Sequence, residues 1–115
     1  MKLINDQSFN ESFSYFDKEI VVEIIDIFLN EYEERLSTIK KSIDELDFQN
    51  LKFHAHSLKG VVANFSAPKV QDIAKQLENK GTDSINENLH EDFQELDKLV
   101  RTMVDEISVL RENYV

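Results

Sequence analysis

From Leu89 to Tyr114 an apolar residue recurs at alternating steps of four and three: Leu89, Phe93, Leu96, Val100, Met103, Ile107, Leu110 and Tyr114. That spacing gathers every one of them on a single stripe of an α-helix and would scatter them over both faces of a strand. A stripe this long is stable only when buried against other helices. The rest of the chain offers matching stripes. Val21, Ile25, Phe28, Tyr32, Leu36, Ile39, Ile43 and Leu46 form one, and Leu51, Ala55, Leu58, Val62 and Phe65 a second. Val70, Ile73, Ala74 and Leu77 form a third. A further line, Ile20, Ile24 and Ile27, widens the apolar surface where the first of these begins. Phe9 and Phe13, four residues apart, predict a short N-terminal helix over about 6–15 that covers this widened end.

Boundary residues divide the stripes. Asp17 suits the N-cap of a helix starting near Lys18, and Asp47 that of the next. The helix after Asp47 should end near Ser66, because Pro68 disfavours helical backbone at Ala67, and Pro68 fits the first turn of its successor. Gly81 is expected to stop that successor as its C′ residue, with a polar connection over Thr82–Asn88. With two glycines and one proline in 115 residues, little of the chain is loop. The predicted fold is all-α: an antiparallel up-and-down four-helix bundle over about 18–114 with a short additional N-terminal helix, all in one domain, 1–115. A chain of this length buries roughly two thirds of its unfolded surface.

Composition removes several function classes. There is no cysteine, hence no thiol chemistry and no disulfide framework. A net charge of −10, with 23 acidic residues, opposes binding to nucleic acid. Its plain reading is solubility; the alternative, functional reading is steering toward a partner with a positive rim. The apolar run Ile20–Leu29 carries Glu23 and Asp26 and is too short to span a bilayer. Met1-Lys2-Leu3-Ile4 turns polar at once, unlike a signal peptide. A cytoplasmic location is expected. No glycine-rich phosphate loop is present, so self-phosphorylation with ATP is not expected. The carboxylates are scattered, without a nucleophile–base pair at recognisable spacing.

The segment His56-Ser57-Leu58-Lys59-Gly60 stands out from this background. His56 lies about 100° off the Leu51–Phe65 stripe, on a line with Gly60 and Ala63 that is nearly bare of side chain. A mid-helix glycine costs roughly 1 kcal/mol relative to alanine, so Gly60 calls for a reason, and clearance beside His56 is one. Lys59 is three residues on and Lys52 four back, near enough to bring positive charge to the ring's surroundings. An exposed nucleophile beside positive charge suits a transferable anion. His54 is a different matter. Residues two apart point about 200° apart on a helix, so His54 and His56 cannot chelate one metal ion.

His-x-Leu-Lys-Gly on an acidic, all-helical chain of this size resembles the histidine-containing phosphotransfer (HPt) family, over about Asp17 to Leu110. The resemblance implies that His56 is the phosphoacceptor, with Lys59 and Gly60 matching the motif lysine and glycine. Ala63 matches a small residue that often follows. Ser66 stands where the family commonly has glycine. Glu78 occupies the spacing, 22 residues after the histidine, at which some members place a residue that hydrogen-bonds the imidazole. A carboxylate there would hold Nδ1–H and leave Nε2 free to attack. Lys59 would pair with phosphate oxygens, with Lys52, Gln71 and Lys75 near the rim.

The function so implied is that of a monomeric carrier in a multistep His–Asp phosphorelay. His56 takes a phosphoryl group from the aspartate of one receiver domain and passes it to another. The carrier needs no cofactor of its own, and Mg²⁺ is expected on the partner receiver. The expected docking ring comprises Phe53, Gly60, Ala63, Asn64 and Lys52, with Phe13 or Phe16 from the N-terminal helix. Alternative readings are the phosphoacceptor domain of a chemotaxis-type or hybrid histidine kinase, and an adaptor bundle in which His56 is incidental. A short chain opening at Met1 favours the stand-alone carrier.

Overall fold

The four long apolar stripes become four long helices. The computed structural model of the protein describes residues 2–115. It contains α1 (Asp6–Ser12), α2 (Lys18–Asp44), α3 (Phe48–Ala63), α4 (Pro68–Thr82) and α5 (Leu89–Arg111), and no strand among the described residues. α2 packs on α3 and α5, and α4 packs on the same two, while the diagonal pairs stay apart. Short connections make each neighbour antiparallel to the last, giving a square up-and-down bundle. Asp47 caps α3 as expected, its carboxylate accepting the Asn50 N–H at 3.1 Å. Asp17 holds the N-cap position of α2 with extended backbone, but its side chain makes no capping bond.

The core is the set of stripes. In the α5 stripe every member is buried except Phe93 and Tyr114, which are half-buried. One end of the bundle is closed by aromatic rings: Phe9 and Phe13 lie 4.9 Å apart, Phe28 and Phe65 5.3 Å, and Phe9 and Phe65 6.2 Å. Such pairs contribute about 0.5–1.5 kcal/mol each beyond the burial of their area. The N-terminal segment is tied there too. The Asn5 N–H donates to the Ser66 carbonyl at 3.1 Å, and Glu106 of α5 accepts the N–H groups of Leu3 and Ile4.

Four expectations are corrected. α1 ends at Ser12, short of the predicted 15, and Phe9 and the C-cap residue Phe13 turn inward onto Phe65. It therefore does not cover the outer line of α2, and Ile20 and Ile27 remain exposed. Leu46 is no core residue: it adopts φ 51°, about half exposed, to reverse the chain between α2 and α3. Gly81 is no helix stop, because α4 continues to Thr82 with Gly81 buried inside it. A β-carbon there would lie 2.7 Å from the Lys52 nitrogen and 3.0 Å from the Phe48 carbonyl oxygen of α3. Since both glycines lie within helices, the left-handed positions between helices fall to Leu46, Ser66, Ser84 and Asn88. Non-glycine residues hold that conformation at a cost of about 1–2 kcal/mol each.

Candidate functional site

The tight crossing at Gly81 sets the geometry of the site. From Lys52, α3 rises one turn to His56. From Gly81, α4 runs back three residues to Glu78. The two antiparallel helices thus bring these side chains level, at a separation fixed by backbone-to-backbone contact.

The Glu78 carboxylate divides its two oxygens between two partners. Oε2 is 2.7 Å from His56 Nδ1, and Oε1 is 2.6 Å from Lys59 Nζ. Glu78 is 15% exposed at its side chain, while the imidazole is 66% exposed. The Lys59 hydrogen bond is the main influence holding the Glu78 carboxyl below the ordinary glutamate range; burial opposes it, and the His56 contact adds to it. Glu78 is therefore an anion with only acceptor capacity, which assigns the proton at 2.7 Å to Nδ1 of the ring. The Nε2 lone pair is then left facing outward. An outward nitrogen lone pair, a fixed tautomer and an anion behind the ring make a nucleophile whose developing positive charge is already balanced.

Around this group the sequence-predicted residues take distinct places. A β-carbon on Gly60 would meet no atom within 4 Å, so the space one turn beyond His56 is open. Ala63 and Asn64 are exposed beyond it. Phe53 is 65% exposed, its ring edge-on to His54 at 5.1 Å. Gln49, Lys52, Phe53, His56 and Glu78 line one shallow surface depression. Gln71 is half-buried and Lys75 exposed on the turns of α4 preceding Glu78. Phe13, expected as a possible docking residue, is buried; Phe16 is half-exposed. Lys59 is engaged with Glu78 in the unmodified protein, so the amine expected to meet a phosphoryl group first serves the carboxylate. His54 diverges from His56, lying with Glu31, Arg35 and Thr38 in a depression between α2 and α3.

Sequence reasoning did not single out Arg35. It donates to the Ser57 hydroxyl at 2.9 Å, bridging α2 to the residue beside His56. Nothing in its local sequence signals this contact, which spans 22 residues and exists only after the helices pack. Among the described residues no group of three or more His, Asp or Glu side chains is placed to hold a metal ion, and no helix is long and apolar enough to cross a membrane.

Comparison with known proteins gives two findings. A family model for the Hpt domain matches residues 23–109. The fold is similar to the crystal structure of histidine-containing phosphotransfer protein B (HptB) from Pseudomonas aeruginosa PAO1, at a TM-score of 0.88 and 21% identity, covering 98% of this chain and 97% of that one. At that identity the likeness establishes the shared bundle. The search of curated proteins found no match.

Proposed function

This chain belongs to the Hpt domain family, and on that premise we propose that it carries phosphoryl groups on His56 between receiver domains of a multistep His–Asp phosphorelay. The observation that supports this most is an exposed imidazole whose inner nitrogen is held by the anionic Glu78 at 2.7 Å.

The transfer follows from that arrangement. Nε2 attacks the phosphorus of a receiver's aspartyl phosphate in line. The N–P bond forms, the P–O bond to the aspartate breaks, and the carboxylate departs with its electron pair. Nδ1 keeps its proton throughout. The ring becomes cationic, and Glu78 already stands against it. Lys59 lies on the other carboxylate oxygen, within one helical turn of His56, and can turn toward the incoming phosphoryl oxygens. The reverse sequence hands the group to a second receiver. Mg²⁺ belongs to the receiver in this scheme, and the carrier contributes the nucleophile, its tautomer and an open approach.

The test is transfer from a receiver phosphorylated with acetyl phosphate. The expected product is a label on this protein that is lost in acid and survives base, as a phosphoramidate bond requires. An acid-stable label, or none from any receiver of the source genome, would contradict the proposal.

A further inference from the structure

The two lysines nearest His56 in sequence are differently engaged. Lys59 gives its amine to Glu78 Oε1 at 2.6 Å and is half-buried in doing so. Lys52 is exposed, and its amine has no hydrogen-bond or ion-pair partner among the described residues. They also stand on different sides of the ring. Side chains of a helix lean toward its N-terminus, so the His56 imidazole overlies the turn of α3 that carries Lys52. Glu78, on the antiparallel α4, leans the opposite way and meets Lys59. The carboxylate consequently stands between Lys59 and the imidazole, with one oxygen on each. The surface follows the same division. Gln49, Lys52, Phe53, His56 and Glu78 line one depression, and Lys59 and Lys75 lie outside it. The backbone at Lys52 is itself held by the crossing at Gly81, so its flexible stem hangs from a fixed point.

Charge separates the two amines further. A phosphoryl group on Nε2 brings negative charge to a site where Glu78 is already anionic. If Lys59 turned to meet it, a carboxylate only 15% exposed would lose its cation as a second anion arrived. Lys52 has no such pair to break. We infer that Lys52 is the cation that meets the phosphoryl group on His56, and that Lys59 stays on Glu78 as a positioning residue for the ring. The inference rests on the reading of His56 given above, and it reverses the roles that the family resemblance implied for the two lysines. Lys52 forms no bond to phosphorus. It donates to the phosphoryl oxygens as a mobile point charge, while Lys59 keeps the carboxylate where Nδ1–H needs it.

Phosphoramidate is the probe, because it needs the site and no docked receiver. Its P–N bond breaks, the nitrogen leaves as ammonia with the electron pair of that bond, and the new N–P bond forms to Nε2. Lys52→Gln should take label about fivefold more slowly than the wild type, the scale of one exposed charge pair, and Lys52→Arg should recover most of the rate. Lys98→Gln removes the same charge from an exposed position of α5 and should label as the wild type does. The tautomer of the unmodified ring is read from its nitrogen-15 shifts. Lys59→Gln should lower the fraction with the proton on Nδ1, and Lys52→Gln should leave it unchanged. Normal phosphoramidate labelling of Lys52→Gln would overturn the inference while leaving His56 as acceptor, and slowing confined to the receiver reaction would make Lys52 a receiver contact instead. Equal slowing in Lys98→Gln would reduce the effect to net charge and overturn it too, as would an unchanged tautomer in Lys59→Gln. A wild-type protein that takes no label from phosphoramidate or from any receiver would remove the reading of His56, and this inference with it.

Discussion

The chain's two glycines flank the same histidine and do opposite things. At Gly81 the missing side chain is filled by a neighbour's backbone: α3 comes so close that a β-carbon would be 2.7 Å from the Lys52 nitrogen. At Gly60 the missing side chain is left as empty space, with no atom within 4 Å. One glycine closes the inner side of the site and brings Glu78 within hydrogen-bonding distance of the imidazole. The other opens the outer side, where a partner would arrive. The contrast teaches that mid-helix glycine has no single structural meaning. Its propensity cost is the same at both positions, and only the tertiary surroundings decide whether what is gained is contact or clearance.

Substitution breaks the contrast most strongly on the closed side. Gly81→Ala should destabilise the protein by about 1–3 kcal/mol, because the overpacking of two backbones outweighs the roughly 1 kcal/mol that alanine adds to helix propensity. Chemical denaturation measures it, and a more stable variant would mean that α4 shifts freely on α3. Next is Glu78→Ala, which removes the anion behind the ring while leaving the crossing intact. Transfer should slow by about tenfold, the scale of one charge-assisted hydrogen bond. A wild-type rate would reduce Glu78 to a partner of Lys59 alone.

On the open side the signs of stability and activity should separate. Gly60→Leu should raise stability by about 0.5–1 kcal/mol through helix propensity and yet slow receiver-dependent transfer several-fold, because a side chain now fills the approach. Stabilisation with normal transfer would show that the space at Gly60 is unused. The smallest effect belongs to a position on neither side. Ser66 holds φ 59° at the end of α3, and Ser66→Gly should add roughly 0.5–1 kcal/mol by relieving that conformation, with transfer unaltered. Equal melting temperatures would mean that the turn carries no strain.

Much of this arrangement was legible before folding is considered, because it is local or periodic. The α5 stripe needed only the alternation of Leu89 through Tyr114. The pairing of His56 with Glu78 was implied by the family resemblance, through the spacing of 22 residues; the residues alone put Glu78 on the flank of the next helix, one past core Leu77. The divergence of His54 follows from helix geometry alone. What could not be read depends on where helices meet. A glycine near a helix end looks like a stop until α3 is seen pressing against it, which is why Gly81 was misplaced. Periodicity marks Ile20 and Ile27 as apolar but cannot say whether α1 reaches them. Leu46 continues a stripe by spacing, yet the chain must reverse there with no glycine at hand. The Arg35–Ser57 bond likewise exists only once α2 lies beside α3.

The central claim is that one of two histidines on the same helix carries the phosphoryl group, and the pair supplies its own control. Wild-type protein, His56→Gln and His54→Gln are each mixed with the same phosphorylated receiver, and the acid-labile label on the carrier is followed with time. His56 is two-thirds exposed, so His56→Gln should keep its helical signal and melting temperature while taking up no label. His54→Gln should be labelled as the wild type is. Label persisting on folded His56→Gln, or lost only in His54→Gln, would contradict the account.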